Sequence, residues 1–134
     1  MVKILALDYG QKRIGVAISD ELGIIASSLG FIFNKGEKHS FLEIKNLCQK
    51  HDVGKIIVGL PKSLAGGETE QTIKTAVFIA GLKKELAMSV ESVDERLTTV
   101  MAKKYALAKG RRQRDEDLDS AAACIFLQDY LDKK

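Results

Sequence analysis

Residues 4–20 read ILALDYGQKRIGVAISD. Two apolar, β-branched runs, residues 3–9 and 13–20, are joined by Gly10-Gln11-Lys12. A link this short, with a glycine in it, permits an antiparallel return and no crossover, so the stretch predicts a β-hairpin. Asp8 closes the first run and is followed at once by Gly10, Lys12 and Arg13. A lone acid is a costly way to end a buried strand and a good way to begin a metal site. The alternative for Asp8 is an Asx-type turn ahead of Gly10.

Working outward, a third run from Ile24 to Phe33 can complete a meander. Ser40 and Glu43 then form an S-x-x-E capping box, with Phe41, Ile44 and Cys48 at helical spacing. Lys55–Leu60 (KIIVGL) is a continuous apolar run of the kind buried on both faces of a parallel sheet, and Pro61 stops it. A glycine-containing loop follows over residues 63–68. Thr69 can cap a long helix whose apolar positions include Ile73, Ala76, Val77 and Ala80. Val90–Val93 is a further strand, ending in Asp94-Glu95-Arg96. Thr98 or Thr99 caps a helix to about residue 108, and a last helix runs from about Asp117 to Leu131. The order is β-β-β-α-β-α-β-α-α: three antiparallel strands, then strands joined through helices and therefore parallel.

The totals narrow the chemistry. At 134 residues, 46% hydrophobic and 29% charged, the chain reads as one globular domain spanning 1–134. No apolar run is long enough for a bilayer, and the first residues lack a secretory cleavage site, so a cytoplasmic protein with no membrane partner is expected. Cys48 and Cys124 have no metal-ligand spacing and read as reduced core thiols. His39 and His51 sit in no motif, which argues against a histidine triad or a zinc site. The net charge of +3 says little, but Lys109, Arg111, Arg112 and Arg114 place four cations within six residues. Alone they read as a solvated loop; beside an acidic site they become a phosphate-backbone contact. With three tyrosines, five phenylalanines and no tryptophan, the composition does not advertise base stacking.

Chemistry is thus left to carboxylates, cations and backbone. Asp8 ends the first strand, and Glu95 ends the last, beside Asp94. Asp119 lies in the final helix with Ala122, Ala123 and Phe126 at i+3, i+4 and i+7, a small-residue face able to press close to the sheet. Converging carboxylates repel unless a cation neutralises them, and Mg²⁺ or Mn²⁺ suits an all-oxygen set without histidine. Each acid also has a simpler reading: the Asx turn for Asp8, pairing with Arg96 for Glu95, and a helix first-turn acid for Asp119.

Read together, four segments carry a resemblance. Residues 8–17 (DYGQKRIGVA), Val58-Gly59-Leu60-Pro61, residues 93–99 (VDERLTT) and Asp119-Ser120-Ala121-Ala122-Ala123 with Leu127-Gln128 resemble the motifs of the YqgF/RuvX family, in order along nearly the whole chain. The resemblance implies an α/β, ribonuclease H-like fold: a five-stranded mixed sheet of order 3-2-1-4-5, its first three strands antiparallel, flanked by helices. It implies a nuclease that processes the 5′ end of the 16S ribosomal RNA precursor, or a Holliday junction resolvase, with Asp8, Glu95 and Asp119 as catalytic acids and metal ligands. In the related RuvC resolvases the middle acid ends the fourth strand, where this chain has Gly59-Leu60-Pro61 and no acid.

On this reading one or two Mg²⁺ or Mn²⁺ ions support phosphodiester hydrolysis. Lys12 and Arg13 hold flanking phosphates, Arg96 does so or orients Glu95, and Arg111, Arg112 and Arg114 bind backbone further along. The partner is nucleic acid, structured RNA in preference to branched DNA, with the protein a monomer or a homodimer. Two rivals remain. A D-x-G turn also opens actin-like ATPases, which need a second domain that 134 residues cannot provide. A non-catalytic RNA-binding assembly factor would use the same basic loop.

Overall fold

The computed structural model describes residues 3–60, 69–94 and 115–133, with side chains of the last segment described from residue 121. The elements run β1 (Lys3–Tyr9), β2 (Arg13–Ser19), β3 (Ala26–Phe33), α1 (Glu37–His51), β4 (Val53–Leu60), α2 (Glu70–Glu85), β5 (Ser89–Asp94) and α3 (Asp115–Asp132). The strands form one five-stranded sheet of order β3-β2-β1-β4-β5. β1 pairs antiparallel with β2 and β2 with β3, whereas β1–β4 and β4–β5 are parallel. Sheet order, strand directions and the hairpin at Gly10 agree with the sequence reading. The helix expected over 98–108 and the loop at 63–68 lie outside the described residues.

Two apolar layers sandwich the sheet. On one face Leu5, Leu7, Ile14, Val16, Ile56, Val58 and Val90 pack with Phe41, Ile44 and Cys48 of α1 and Phe78, Ile79 and Leu82 of α2. On the other, Ile4, Ala6, Ala17 and Ile57 pack with Ala123, Phe126, Leu127 and Leu131 of α3. Consecutive strand residues point to opposite faces, so odd-numbered β1 residues meet α1 and α2 and even-numbered ones meet α3. β4 is buried on both sides for the same reason, which accounts for its continuous apolar run. No helix among the described residues is long and apolar enough to cross a membrane.

Two expectations need correction. The Ser40–Glu43 box is not formed: α1 begins at Glu37, capped by Gly36, and Ser40 sits buried inside the helix with its N–H on the Gly36 carbonyl. Gly36 adopts φ +112°, which a residue with a Cβ adopts only under strain, so the turn geometry overrides the side-chain cap signal. The buried face of α2 is also different. Ile73 and Val77 are 57% and 58% exposed, and Ala76 and Ala80 are exposed with them. Thr72, Thr75, Phe78, Ile79 and Leu82 point inward instead. Phe78 decides the rotation, with its ring 4.3 Å from Tyr9 and 5.6 Å from Phe41. The threonines bury cheaply because their hydroxyls are satisfied locally: Thr75 donates to the Gln71 carbonyl at 2.8 Å, and Thr72 accepts from the Thr69 N–H in a capping box. Thr69 is the N-cap, as expected.

Cys48 is buried and Cys124 half-buried, both free thiols; burial pushes the Cys48 thiol up to about 11. α3 is tied to the sheet by side chains. Gln128 accepts from the Ala26 N–H at 2.9 Å and donates to the Ile24 carbonyl at 2.8 Å, acting as an extra strand partner at the β2–β3 corner. Tyr130 joins Lys55 of β4 (2.5 Å) to Glu91 of β5 (3.0 Å), which themselves pair at 2.8 Å.

Gln128→Ala is expected to lower stability by about 1–3 kcal/mol in urea unfolding, because it strips backbone groups of their partners. Lys55 holds the Glu91 carboxyl below its ordinary value of 4.5. The stability from this pair is therefore present above that value and is lost as pH falls through it and then through the lower folded value. Melting curves from pH 6 to pH 3 should show a smaller acid loss for Lys55→Met than for wild type.

Candidate nuclease site at the strand ends

Asp8 is the even-numbered residue after Ile4 and Ala6, so it stands on the α3 side of the sheet, half-buried. Its cross-strand partner in β2 is Gly15. In the parallel direction Leu7 lies level with Val58, and Val58 with Ser92. The next row therefore holds Asp8, Gly59 and Val93, and Phe31 of β3 extends it beyond Gly15. Asp8 is flanked on its face by two glycines, one on each neighbouring strand, which leave side-chain space around the carboxylate. Arg13 shares this face, two positions beyond Gly15 along β2, and is half-buried; Lys12 is exposed in the turn.

Three polar contacts hold this end of β1. Gly10 closes the hairpin so tightly that a Cβ there would sit 2.4 Å from the Arg13 carbonyl oxygen. Gly10 thus serves the hairpin expected from the sequence, in a turn that needs the missing side chain. Asn34 donates from its amide to the Gly10 carbonyl at 2.8 Å, and its own N–H reaches the Lys12 carbonyl at 2.8 Å. Gln71, in the first turn of α2, donates to the Tyr9 carbonyl at 3.0 Å. Sequence reasoning missed both residues. Asn34-Lys35-Gly36 carried a turn signal, whereas nothing local distinguishes Gln71.

The backbone of Asp119 lies in α3, four residues before Ala123. Gln128 binds near the start of β3 and Leu131 lies beside Gly23, so α3 runs antiparallel to β1, with its N-terminal half toward the strand ends. Ala123 packs in the layer that contains Ala6. The part of α3 that carries the backbone of Asp119 therefore runs toward the end of β1 that carries Asp8. Close approach of α3 to the sheet is allowed by Ala6, Ala17, Ala122 and Ala123, all buried. Val93 faces α3 and β5 ends at Asp94. Glu95, Arg96, Arg111, Arg112 and Arg114 lie outside the described residues, as does the Asp119 side chain. Among the described residues no three histidine, cysteine, aspartate or glutamate side chains are grouped to hold a metal.

The chain matches the RuvX family, described as Holliday junction resolvase, over residues 2–133. It belongs to that family. A relative from Sulfurihydrogenibium, named "Putative pre-16S rRNA nuclease", is 41% identical over 99% of this chain and 92% of its own. One of the same name from Thermoanaerobacter pseudethanolicus is 41% identical, covering 99% and 98%. Among solved structures, RuvC of T. thermophilus in complex with a Holliday junction substrate superposes with a TM-score of 0.63 at 12% identity, covering 99% of this chain and 95% of RuvC. The large terminase nuclease of thermophilic phage G20c superposes at 0.51 and 11%, covering 93% and 81%. These structural likenesses concern the fold, which is ribonuclease H-like. In this RuvX chain the row through Asp8 carries Gly59 on β4, so no acid comes from that position.

Gly10→Ala is expected to destabilise the protein by at least about 1–3 kcal/mol, since the added methyl meets backbone and not a yielding side chain. Chemical denaturation of wild type and variant measures it.

Proposed function

We propose that this protein is a nuclease that hydrolyses phosphodiester bonds in a precursor of 16S ribosomal RNA. The observation that carries the reading is the setting of Asp8. A carboxylate stands at the carboxyl ends of parallel strands, the usual place for a site in an α/β sheet. It has a glycine on either side and a guanidinium on its own face. The family description and the relatives' names support nucleic acid as substrate.

Asp8, Glu95 and Asp119 form the acidic set. The support for the set is that Asp8 lies on the α3 side of the sheet near the end of β1, that the N-terminal half of α3, which carries the backbone of Asp119, runs toward that end, and that Glu95 follows β5 in sequence. A set of carboxylates without histidine fits a hard divalent ion, Mg²⁺ or Mn²⁺, better than zinc. Such an ion, when bound, would neutralise the acids and stabilise the charge that builds on the phosphate in the transition state. Asp8 would be a ligand throughout and needs to stay ionised. Arg13, on the same face, binds a phosphate oxygen beside the scissile bond, and exposed Lys12 binds the next along the strand. Arg96 orients Glu95 or contacts phosphate. Arg111, Arg112 and Arg114 hold backbone at a distance without reading sequence.

The rival substrate is the four-way DNA junction in the family's description. Wild type and Asp8→Asn should be incubated with labelled precursor RNA and with a synthetic junction, in Mg²⁺, Mn²⁺ or EDTA. Wild type is expected to cut the RNA only with metal. Asp8→Asn should lose at least about a hundredfold in rate while melting within a few degrees of wild type. Symmetric junction cutting would transfer the protein to the resolvases. Metal-independent RNA binding with no cleavage of either substrate would make it an assembly factor.

A further inference from the structure

The aromatic residues are few, but two of the five phenylalanines stand together, Phe31 half-buried and Phe33 exposed. Phe31 and Phe33 of β3 straddle Ile32, which points into the core, so both rings take the opposite, α3 side of the sheet. Their centroids are 5.0 Å apart in an edge-to-face pair, and Phe33 is 56% exposed. Among the described residues neither ring belongs to the two apolar layers. On an edge strand an outward aromatic invites unwanted pairing, so its presence asks for a use.

Register supplies one. Phe33 lies opposite Arg13, and Phe31 opposite Gly15, which in turn lies opposite Asp8. Phe31 and Asp8 are therefore separated by two strand spacings, about 10 Å, with no side chain on the strand between them. Lys12 and Lys35 are exposed at the same end of the sheet, brought together by the bond from the Asn34 N–H to the Lys12 carbonyl. The surface is a cation-rimmed aromatic pair beside an acid.

We propose that Phe31 and Phe33 form a stacking platform for unpaired bases of single-stranded RNA whose backbone passes Asp8. This rests on the nuclease reading. Duplex DNA, including the arms of a junction, keeps its bases stacked within the helix and offers no free face to these rings, whereas an unpaired strand does. Stacking on aromatic rings tolerates any base, so the platform would set position and strand state and leave sequence unread. The cations at its rim match the phosphates on either side. The composition, which pointed away from stacking, counts rings and says nothing about where they gather.

Binding can be tested apart from catalysis. Fluorescence anisotropy in EDTA would follow a labelled single-stranded RNA, the same RNA annealed as duplex, and the single strand with an abasic site at successive positions. Phe31→Ala/Phe33→Ala is expected to weaken single-strand binding about tenfold or more, with little change for the duplex. Its salt dependence should match wild type, because no phosphate contact is lost; Lys12→Ala should flatten the salt slope instead. Phe33→Tyr should keep wild-type affinity, which separates loss of an aromatic face from loss of fold. One abasic position should remove most of the difference between wild type and the double variant. Equal single-strand affinity for wild type and the double variant would overturn the platform, as would an equal loss on duplex or a wild type that binds no single strand. If the phenylalanines matter for binding but wild type cuts nothing, the platform stands and the nuclease reading falls.

Discussion

β1 is the central strand and is covered on both sides, so the side that each of its residues takes decides the rest of the molecule. Leu5 and Leu7 enter the layer under α1 and α2, and Ile4 and Ala6 the layer under α3. Asp8 inherits the α3 side by alternation alone. A slip of one residue would turn it toward the Phe78 layer, an apolar setting hostile to a carboxylate. The register is held at the far end too, where buried Ser19 accepts the Ile4 N–H at 2.8 Å.

Hydrophobic burial makes the sandwich, but it is indifferent to sliding. Directional polar groups supply the alignment. Gln128 fixes how far α3 lies along the sheet, Asn34 fixes the turn after β1, and Gln71 fixes α2 against the carbonyl next to Asp8. Each is a side chain bound to backbone of a different element. Their combined effect is a carboxylate, a guanidinium and two glycines set on one face of the sheet at the end of its central strand. The same register carries the aromatic pair Phe31–Phe33 onto that face.

The Tyr130–Lys55–Glu91 cluster shows how far such a reading must be tempered by position. Its residues look catalytic in type, and Lys55 is held above its ordinary value chiefly by the hydrogen bonds it donates to Glu91 and Tyr130. Yet Lys55 lies level with Ile4, at the other end of β1 from Asp8, and bonds Tyr130 in the C-terminal half of α3. The cluster's work is to pin α3 to two parallel strands, and being part-exposed to water it contributes modestly.

Local patterns were enough for much of this protein. The hairpin at Gly10, the buried strand at Lys55–Leu60, the Thr69 cap and the strand order implied by the family motifs all rest on neighbours in sequence, as does the nomination of Asp8, Lys12 and Arg13, of which the structure shows only the position. What failed was whatever depends on distant partners. The buried face of α2 turned on Phe78 meeting Tyr9 and Phe41, with threonines hiding their own hydroxyls, so hydrophobic spacing named the exposed side. The start of α1 turned on a Gly36 conformation that a side-chain motif does not reveal. Asn34 and Gln71 became legible only once folding brought their carbonyl partners to them. The sequence by itself determined which residues alternate, where strands turn and which acids are available, because these follow from covalent order and local sterics. Only the tertiary structure decided which face each residue takes and what stands beside Asp8, because side-chain burial is settled between elements and not within them.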